Sequence, residues 1–344
     1  MTKGNFVILF TRGHKCYRWA VVICSHSFNC GVGMFEFIDL FCGIGGFRVA
    51  LENKGLNCVF SCDIDLIVQS IYEKNFGDKP DGDVTSIPTK KIPPHDVLCA
   101  GFPCQPFSIS GKMDGLTTDN GRLFYEIARI ADYHMPKFLL LENVKNILSI
   151  DGGNVAKIIE NKFESMGYVV HHHILNASFF GIPQARERVY FLIIRKDVAE
   201  GVEYLPPKET FDRVFLNDVL EERVDESLVV KRDDIVITKE DDELTNDLKP
   251  IRIGYLNKGG QGERIYSIKG HAVTLSAFGG GIGAKTGLYN TPLGVRRLTI
   301  TESKRIMGFK DSHYVSDGTR GYTQLGNAVI PQIVERIWDG ITWR

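Results

Sequence analysis

A doubly wound, mostly parallel α/β domain carrying a second, smaller domain is the fold class this sequence predicts, on three observations. Short apolar runs bounded by Gly, Pro or charged residues recur at Phe35 to Phe41, Cys58 to Ser61, Val97 to Ala100 and Phe138 to Leu141, and each reads as a buried strand. The first run empties into Cys42-Gly43-Ile44-Gly45-Gly46 and then a helix-like stretch, Phe47 to Lys54. Strand, glycine turn and helix open a doubly wound domain, whose ligand lies outside the carboxyl ends of the strands. Finally, 344 residues exceed what one small core needs and suit a large domain plus a smaller one.

Residues 1–33 fit no periodic template. Their apolar fragments, such as Phe6 to Phe10, are interrupted by Arg12, His14, Lys15 and Arg18, too short for a membrane span and without a signal-peptide pattern. They are expected to be a disordered extension or an upstream-start artefact, since Met34 stands directly before the first strand. The second strand ends at Asp63, 20 residues beyond Gly43, a distance that places a carboxylate to hydrogen-bond ribose hydroxyls. The turn itself is G-x-G-G and lacks the third glycine of a pyrophosphate fingerprint, so an adenosine ligand without phosphates fits better. Asp83 joins the same edge if a third strand ends nearby; otherwise it is a turn or cap residue.

Gly101-Phe102-Pro103-Cys104-Gln105-Pro106-Phe107-Ser108 follows the Val97 to Ala100 strand. The prolines fix their own φ and bias the preceding residues toward extended geometry, so the Cys104 thiol is held as a nucleophile would be. Gly111 to Arg122 is a polar stretch able to close over a ligand, and Leu123 to Met135 has helical spacing. The next strand, Phe138 to Leu141, terminates in Glu142-Asn143-Val144. Desolvation there raises a carboxyl pKa and favours a protonated form that donates a hydrogen bond. After a helix-like stretch to about Met166, strands Tyr168 to Leu175 and Arg188 to Ile194 flank Gln184-Ala185-Arg186-Glu187-Arg188. Arg186 and Arg188 alternate, so an extended backbone points both to one face. His171 to His173 read as strand surface.

The composition is that of a soluble globular chain, 43% apolar and 24% charged, with a net charge of −1. That balance excludes a uniformly basic nucleic-acid binder but hides a segregation. Glu221 to Glu243 holds ten acidic and four basic residues, whereas Arg252 to Arg305 holds nine Lys or Arg against Glu263 and Glu302. All eight cysteines lie at or before Cys104 and none forms C-x-x-C, which argues against a structural zinc and against dithiol redox chemistry; no metal is expected. Free thiols without a secretion signal imply a reducing cytoplasm. A domain boundary is expected near Phe211 to Leu216. Beyond it, Gly259 to Arg264 and Phe278 to Gly281 are glycine-rich loops of the kind that bring Gln and Arg to base edges in a groove. Leu298 to Gly308 looks helical, and Gly326-Asn327-Ala328-Val329-Ile330-Pro331 leads into a last helix.

Together these pieces resemble the cytosine-5 DNA methyltransferases from Phe35 to about Ile333. The motifs fall in that family's order: Phe37 to Gly46, Gly101 to Gln105, Glu142-Asn143-Val144, Gln184 to Arg188, Arg297 to Gly308 and Gly326 to Val329. The resemblance implies the S-adenosylmethionine-dependent methyltransferase fold, with residues 34–213 as catalytic and cofactor-binding domain, 214–296 as target-recognition domain and 297–344 as a return segment completing the first. It makes Cys104 the nucleophile that adds as thiolate to carbon 6 of cytosine, which lets carbon 5 attack a sulfonium methyl. Glu142 then bonds the ring nitrogen and exocyclic amine, Arg188 contacts the base and orients Glu142, and Arg186 lies beside it. S-adenosylmethionine is the implied cofactor, with Phe41, Asp83 and Val84 near its adenine and Asp63 on its ribose. Asn327 and the backbone of Gly43 and Gly45 take its methionine end. A bacterial member that this chain resembles has Glu-Trp where Asp63-Ile64 stands, so cofactor affinity is expected to differ, not the ligand.

The same resemblance implies double-stranded DNA as partner and extrusion of the target base from the stack. It gives DNA contacts to Ser110, Gln261, Arg264, Thr274 and Gly281, with Gln261 filling the vacated space. Lys258 to Ser267 resembles the recognition loop of a member that reads GCGC, so that target is expected. A monomer paired functionally with a restriction endonuclease, and no membrane association, complete the expectations. An RNA cytosine methyltransferase and a silent DNA-binding regulator are the competing functions; the loop pair weighs against the first and the intact Cys104, Glu142 and Arg188 against the second.

Overall fold

The computed structural model describes residues 34–102, 119–210, 212–240 and 245–344; the expected extension 1–33 lies outside them. A six-stranded sheet runs in the order β2-β1-β3-β4-β7-β5, built from β1 (Glu36–Leu40), β2 (Asn57–Cys62), β3 (Val97–Gly101), β4 (Phe138–Val144), β5 (Tyr168–Asn176) and β7 (Glu187–Arg195). The pairs β1·β2, β1·β3 and β3·β4 are parallel, and β7 lies antiparallel between β4 and β5. The sheet is therefore mostly parallel, and its central strands read as continuous apolar runs because both faces are covered.

Successive side chains supply two cores in alternation. Phe37, Val97, Cys99, Phe138 and Leu140 pack on one face with α1 (Gly46–Asn53), α2 (Leu66–Phe76) and the last helix, α8 (Pro331–Asp339). Ile38, Leu98, Ala100, Leu139 and Leu141 pack on the other with α3 (Asp119–His134) and α4 (Asn154–Ser165). The strand expected to end at Leu141 continues to Val144, because β7 pairs with it through Glu142↔Tyr190 and Val144↔Arg188. Glu142 is thus a strand residue, fixed by ladder bonds on both sides.

Two short connections tie later chain to this sheet. β6 (Gln184–Ala185) pairs in parallel with β12 (Ala272–Val273), and β8 (Val202–Tyr204), which follows the single-turn helix α5 (Lys196–Ala199), pairs with β15 (Ile341–Trp343) after the last helix. The second sheet has its own small core of Ile253, Leu256, Ile265, Leu288 and Val295. Its order is β14-β13-β11-β10-β9, from β9 (Val236–Ile237), β10 (Arg252–Tyr255), β11 (Arg264–Ser267), β13 (Leu288–Thr291) and β14 (Gly294–Arg296). Residues Met34–Arg344 form one compact unit. The chain then returns through α6 (Ile300–Arg305) and α7 (Gly318–Asn327). A capping box starts α6, with Thr299 accepting from the Glu302 amide and Glu302 accepting from that of Thr299. No helix of the described residues is long and apolar enough to cross a membrane.

Candidate active site

The glycine turn between β1 and α1 is held in an unusual backbone path. Phe41, Gly43 and Gly45 all have left-handed φ, at 54°, 55° and 86°. A side chain at Gly45 would also meet the Phe76 ring, and one at Gly46 would sit 2.3 Å from the Val329 carbonyl oxygen. At Gly43 the space is open, the nearest atom lying 3.9 Å away. The turn is thus pressed against helices at its back and bare toward a cleft.

Asp63 closes the turn from β2. Its Oδ2 accepts the Gly43 amide at 3.0 Å and its Oδ1 the Asp65 amide at 2.9 Å. Burial pushes its pKa up and these two amides pull it down. Each oxygen keeps a lone pair, so the carboxylate braces the turn while remaining able to accept from a ligand hydroxyl. Asp83 stands where no strand ends: it caps the single turn Val84–Ser86, accepting from the Thr85 amide and hydroxyl at 2.9 and 2.8 Å. Its neighbour Val84 is buried, while Ile64 is 73% exposed at the rim.

One cleft of about 1170 Å³ is lined by Phe41, Gly43, Asp63, Ile64, Asp83, Val84 and Asn327, and also by Glu142, Arg186 and Arg188. The residues expected at cofactor and base therefore share one cavity, larger than a single small ligand requires. Gly45 is not on its wall; it sits behind the turn against Phe76. Cys104 and Ser110 lie outside the described residues. The chain reaches them from Gly101, which is the ladder partner of Glu142, and from Phe102.

Glu142 is buried at this end of the cleft, and burial holds its pKa above the ordinary carboxyl range, opposed by Arg188 and then Arg186. Arg188 Nε lies 3.2 Å from Glu142 Oε1, yet no N–H is aimed at that oxygen, which has no hydrogen-bond partner among the described residues. A buried acceptor left open in this way is costly unless something else bonds to it. Arg186 is more deeply buried and serves a different purpose from Arg188. Its Nη2 donates to the Gly326 and Ala328 carbonyls at 3.1 and 2.9 Å, fixing the backbone on either side of Asn327. Burial lowers its pKa to about 10, and Nη1 has no partner among the described residues.

Two residues that sequence reasoning left without a role hold this arrangement. Asn143 is buried, donates from Nδ2 to the Phe102 carbonyl at 2.9 Å and accepts the Val144 amide, so it anchors the chain where it leaves for Cys104. Its place inside the Glu142-Asn143-Val144 motif was the available signal. Gln184 donates to the Ile306 carbonyl at 2.7 Å and accepts the Leu275 amide at 3.0 Å, joining three distant segments. No local pattern could have shown that.

The expected DNA-contacting residues gather elsewhere. Gln261, Arg264 and Thr274 line a second pocket of about 300 Å³, together with Ala185 and Tyr266. Thr274 Oγ1 donates to the Ala185 carbonyl, and Arg264 Nε is buried without a partner among the described residues. Gly281, at φ 86°, packs its backbone on Gly262, and the Gly283 amide donates to the Gly262 carbonyl at 2.8 Å. A side chain at Gly262 would fall 2.3 Å from the Gly280 oxygen, so the two glycine-rich loops interlock backbone to backbone. Among the described residues no cluster of three or more His, Cys, Asp or Glu could hold a metal.

Comparison with known proteins agrees in extent with this architecture. Residues 35–343 match the family described as C-5 cytosine-specific DNA methylase. The Type II methyltransferase M.HhaI of Haemophilus parahaemolyticus is 46% identical over 305 residues, 88% of this chain and 92% of that one. M.HpaII of Haemophilus parainfluenzae is 38% identical over 87% of each chain. Among solved structures, the Entamoeba histolytica methyltransferase EhMeth superposes with a TM-score of 0.70 at 20% identity, covering 90% of this chain and 98% of its own, a likeness of fold. The chain belongs to the C-5 cytosine-specific DNA methylase family and is a DNA (cytosine-5-)-methyltransferase.

Proposed function

We propose that this enzyme methylates carbon 5 of a cytosine within the duplex sequence GCGC, uses S-adenosylmethionine as methyl donor, acts as a monomer and protects DNA from a companion restriction endonuclease. One observation carries the reading: the bare glycine turn and Glu142 line the same cleft, beside the strand end that leads to Cys104. The residues fit the cofactor. Gly43 leaves room for close approach, Asp63 keeps acceptor capacity for ribose hydroxyls, Ile64 offers an exposed apolar side chain, and Asn327 is exposed at the cleft wall. When bound, S-adenosylmethionine supplies a methyl group on a positively charged sulfur.

The chain's own residues prepare the base. Cys104 adds as thiolate to carbon 6, and Glu142, with a pKa raised by burial, carries a proton to the ring nitrogen and accepts from the exocyclic amine. Arg188 stands beside Glu142 to steady it, and Arg186 fixes the backbone that presents Asn327. Carbon 5 exchanges its proton for the methyl group, and the cysteine leaves. Gln261, Ser110, Thr274 and Gly281 make the DNA contacts around the extruded base. Arg264, on the wall of the second pocket, reads a guanine edge.

Bisulfite sequencing of DNA from cells expressing the chain tests base, position and context together. Methylcytosine confined to GCGC is the expected pattern; modification at another sequence would reject the target, and none at all the reaction. Arg264→Ala is expected to lose about 1–3 kcal/mol of discrimination at one guanine, measured as relative kcat/KM on cognate and singly substituted duplexes. An unchanged preference would remove Arg264 from base reading.

A further inference from the structure

The cofactor-side turn is braced from far along the chain. Ile44 lies between the two left-handed glycines, and its carbonyl oxygen is 2.8 Å from Nε2 of His313, 269 residues later. The His313 ring is packed to hold that position. It stacks on Phe309 at 4.5 Å and 28°, and Phe76 from α2 meets it edge-on at 5.9 Å. The backbone on either side is bolted down as well. Asn75 donates to the Tyr314 carbonyl at 2.9 Å and accepts the Tyr314 amide at 2.7 Å, and Lys304 Nζ donates to the His313 carbonyl at 3.2 Å. Asn75 Nδ2 is also 3.2 Å from His313 Nε2, but a nitrogen that donates its hydrogen to Ile44 cannot accept another. The tautomer with hydrogen on Nε2 serves the Ile44 carbonyl, and Asn75 keeps its two bonds to the Tyr314 backbone.

We propose that His313 is a positioning residue for cofactor binding, which holds the glycine turn in its ligand-ready path by donating to the Ile44 carbonyl. The turn needs such help. Three left-handed residues within five make its backbone path one of many that glycine permits, and affinity falls by whatever freedom must be lost on binding. Asp63 pins the turn at the Gly43 amide, the Val329 backbone abuts Gly46, and His313 supplies the bond at the middle. Burial lowers the His313 pKa, which agrees with a neutral ring acting through one N–H. The inference rests on the reading of this cleft as the S-adenosylmethionine site.

The test compares the full chain with His313→Phe, which keeps the ring stack and removes the donor, and with His313→Gln, whose amide N–H reaches to a similar distance. S-adenosylhomocysteine is titrated into each by calorimetry, and kcat, KM for DNA and the unliganded unfolding midpoint are measured beside it. His313→Phe is expected to bind the probe about tenfold more weakly, the cost of one buried carbonyl losing its donor. His313→Gln should recover most of that loss. The expected split leaves kcat at saturating cofactor and KM for DNA unchanged, while the unliganded unfolding midpoint falls in His313→Phe and recovers together with affinity in His313→Gln. Equal probe affinity in His313→Phe, no recovery in His313→Gln, or a loss shared with DNA binding would overturn the proposal. A wild-type protein that does not bind the probe would overturn the cofactor reading itself and this proposal with it.

Discussion

Glu142→Gln is expected to lower kcat by about a hundred- to a thousandfold while leaving the KM for DNA nearly unchanged, because glutamine keeps the shape and two hydrogen-bonding atoms but cannot deliver a proton to the ring as charge develops. The surroundings of this side chain suit the proposed task. It sits within a strand ladder between Gly101 and Tyr190, burial raises its pKa, and its Oε1 has no hydrogen-bond partner among the described residues. Single-turnover methylation by wild type and variant, with duplex binding measured separately, checks the expectation; an undiminished rate would take Glu142 out of the chemistry. Stability should respond in the other direction. A carboxyl whose folded pKa lies above its ordinary 4.5 stabilises the fold fully below that value, and the contribution is lost as pH rises through the folded pKa. Glutamine has no proton to lose, so the unfolding free energy of the variant relative to wild type should climb across that window.

Glu302→Ala is expected to cost about 3–5 kcal/mol of stability, by removing one partner of a fully buried ion pair. Arg296 Nη1 and Nη2 meet the two oxygens of Glu302 at 2.8 and 2.7 Å, and both side chains are essentially inaccessible. Glu302 also accepts the amides of Thr299 and Glu221 at 2.8 and 2.9 Å. The pair therefore ties the second sheet, through β14, to the helix that begins the return segment. Alanine would strand a buried guanidinium and unmake a helix cap at once. Urea unfolding gives the magnitude, and the double change Arg296→Met with Glu302→Leu should recover much of the loss, since two apolar groups leave no charge uncompensated. Equal destabilisation by the double variant would mean that the cap, not the ion pair, dominates.

Local features were readable because their causes are local. Alternating membership of Phe138, Leu139, Leu140 and Leu141 in the two cores requires four apolar residues in a row, and that is what the chain shows. The glycine turn was visible because left-handed backbone selects glycine, and the family's motifs because each lies within a few residues. The length of β4 was not readable: Glu142, Asn143 and Val144 are strand only because β7 returns antiparallel beside them. For Asp83 the chain left two readings, a strand-end carboxylate or a turn cap, and the cap is the one found.

Fold class, two-sided strands, the strand-turn-helix unit and the family's motifs follow from the chain read in short stretches, because periodicity, backbone preference and side-chain chemistry act over short spans. Which residues share a wall follows from long-range packing. It gave Arg186 to the backbone around Asn327 and Arg188 to Glu142, although two positions separate them in an extended segment. It brought His313 to Ile44, Gln184 to Ile306 and Arg296 to Glu302. These bonds form where burial removes water as an alternative partner, and burial belongs to the packed chain and not to any one stretch of it.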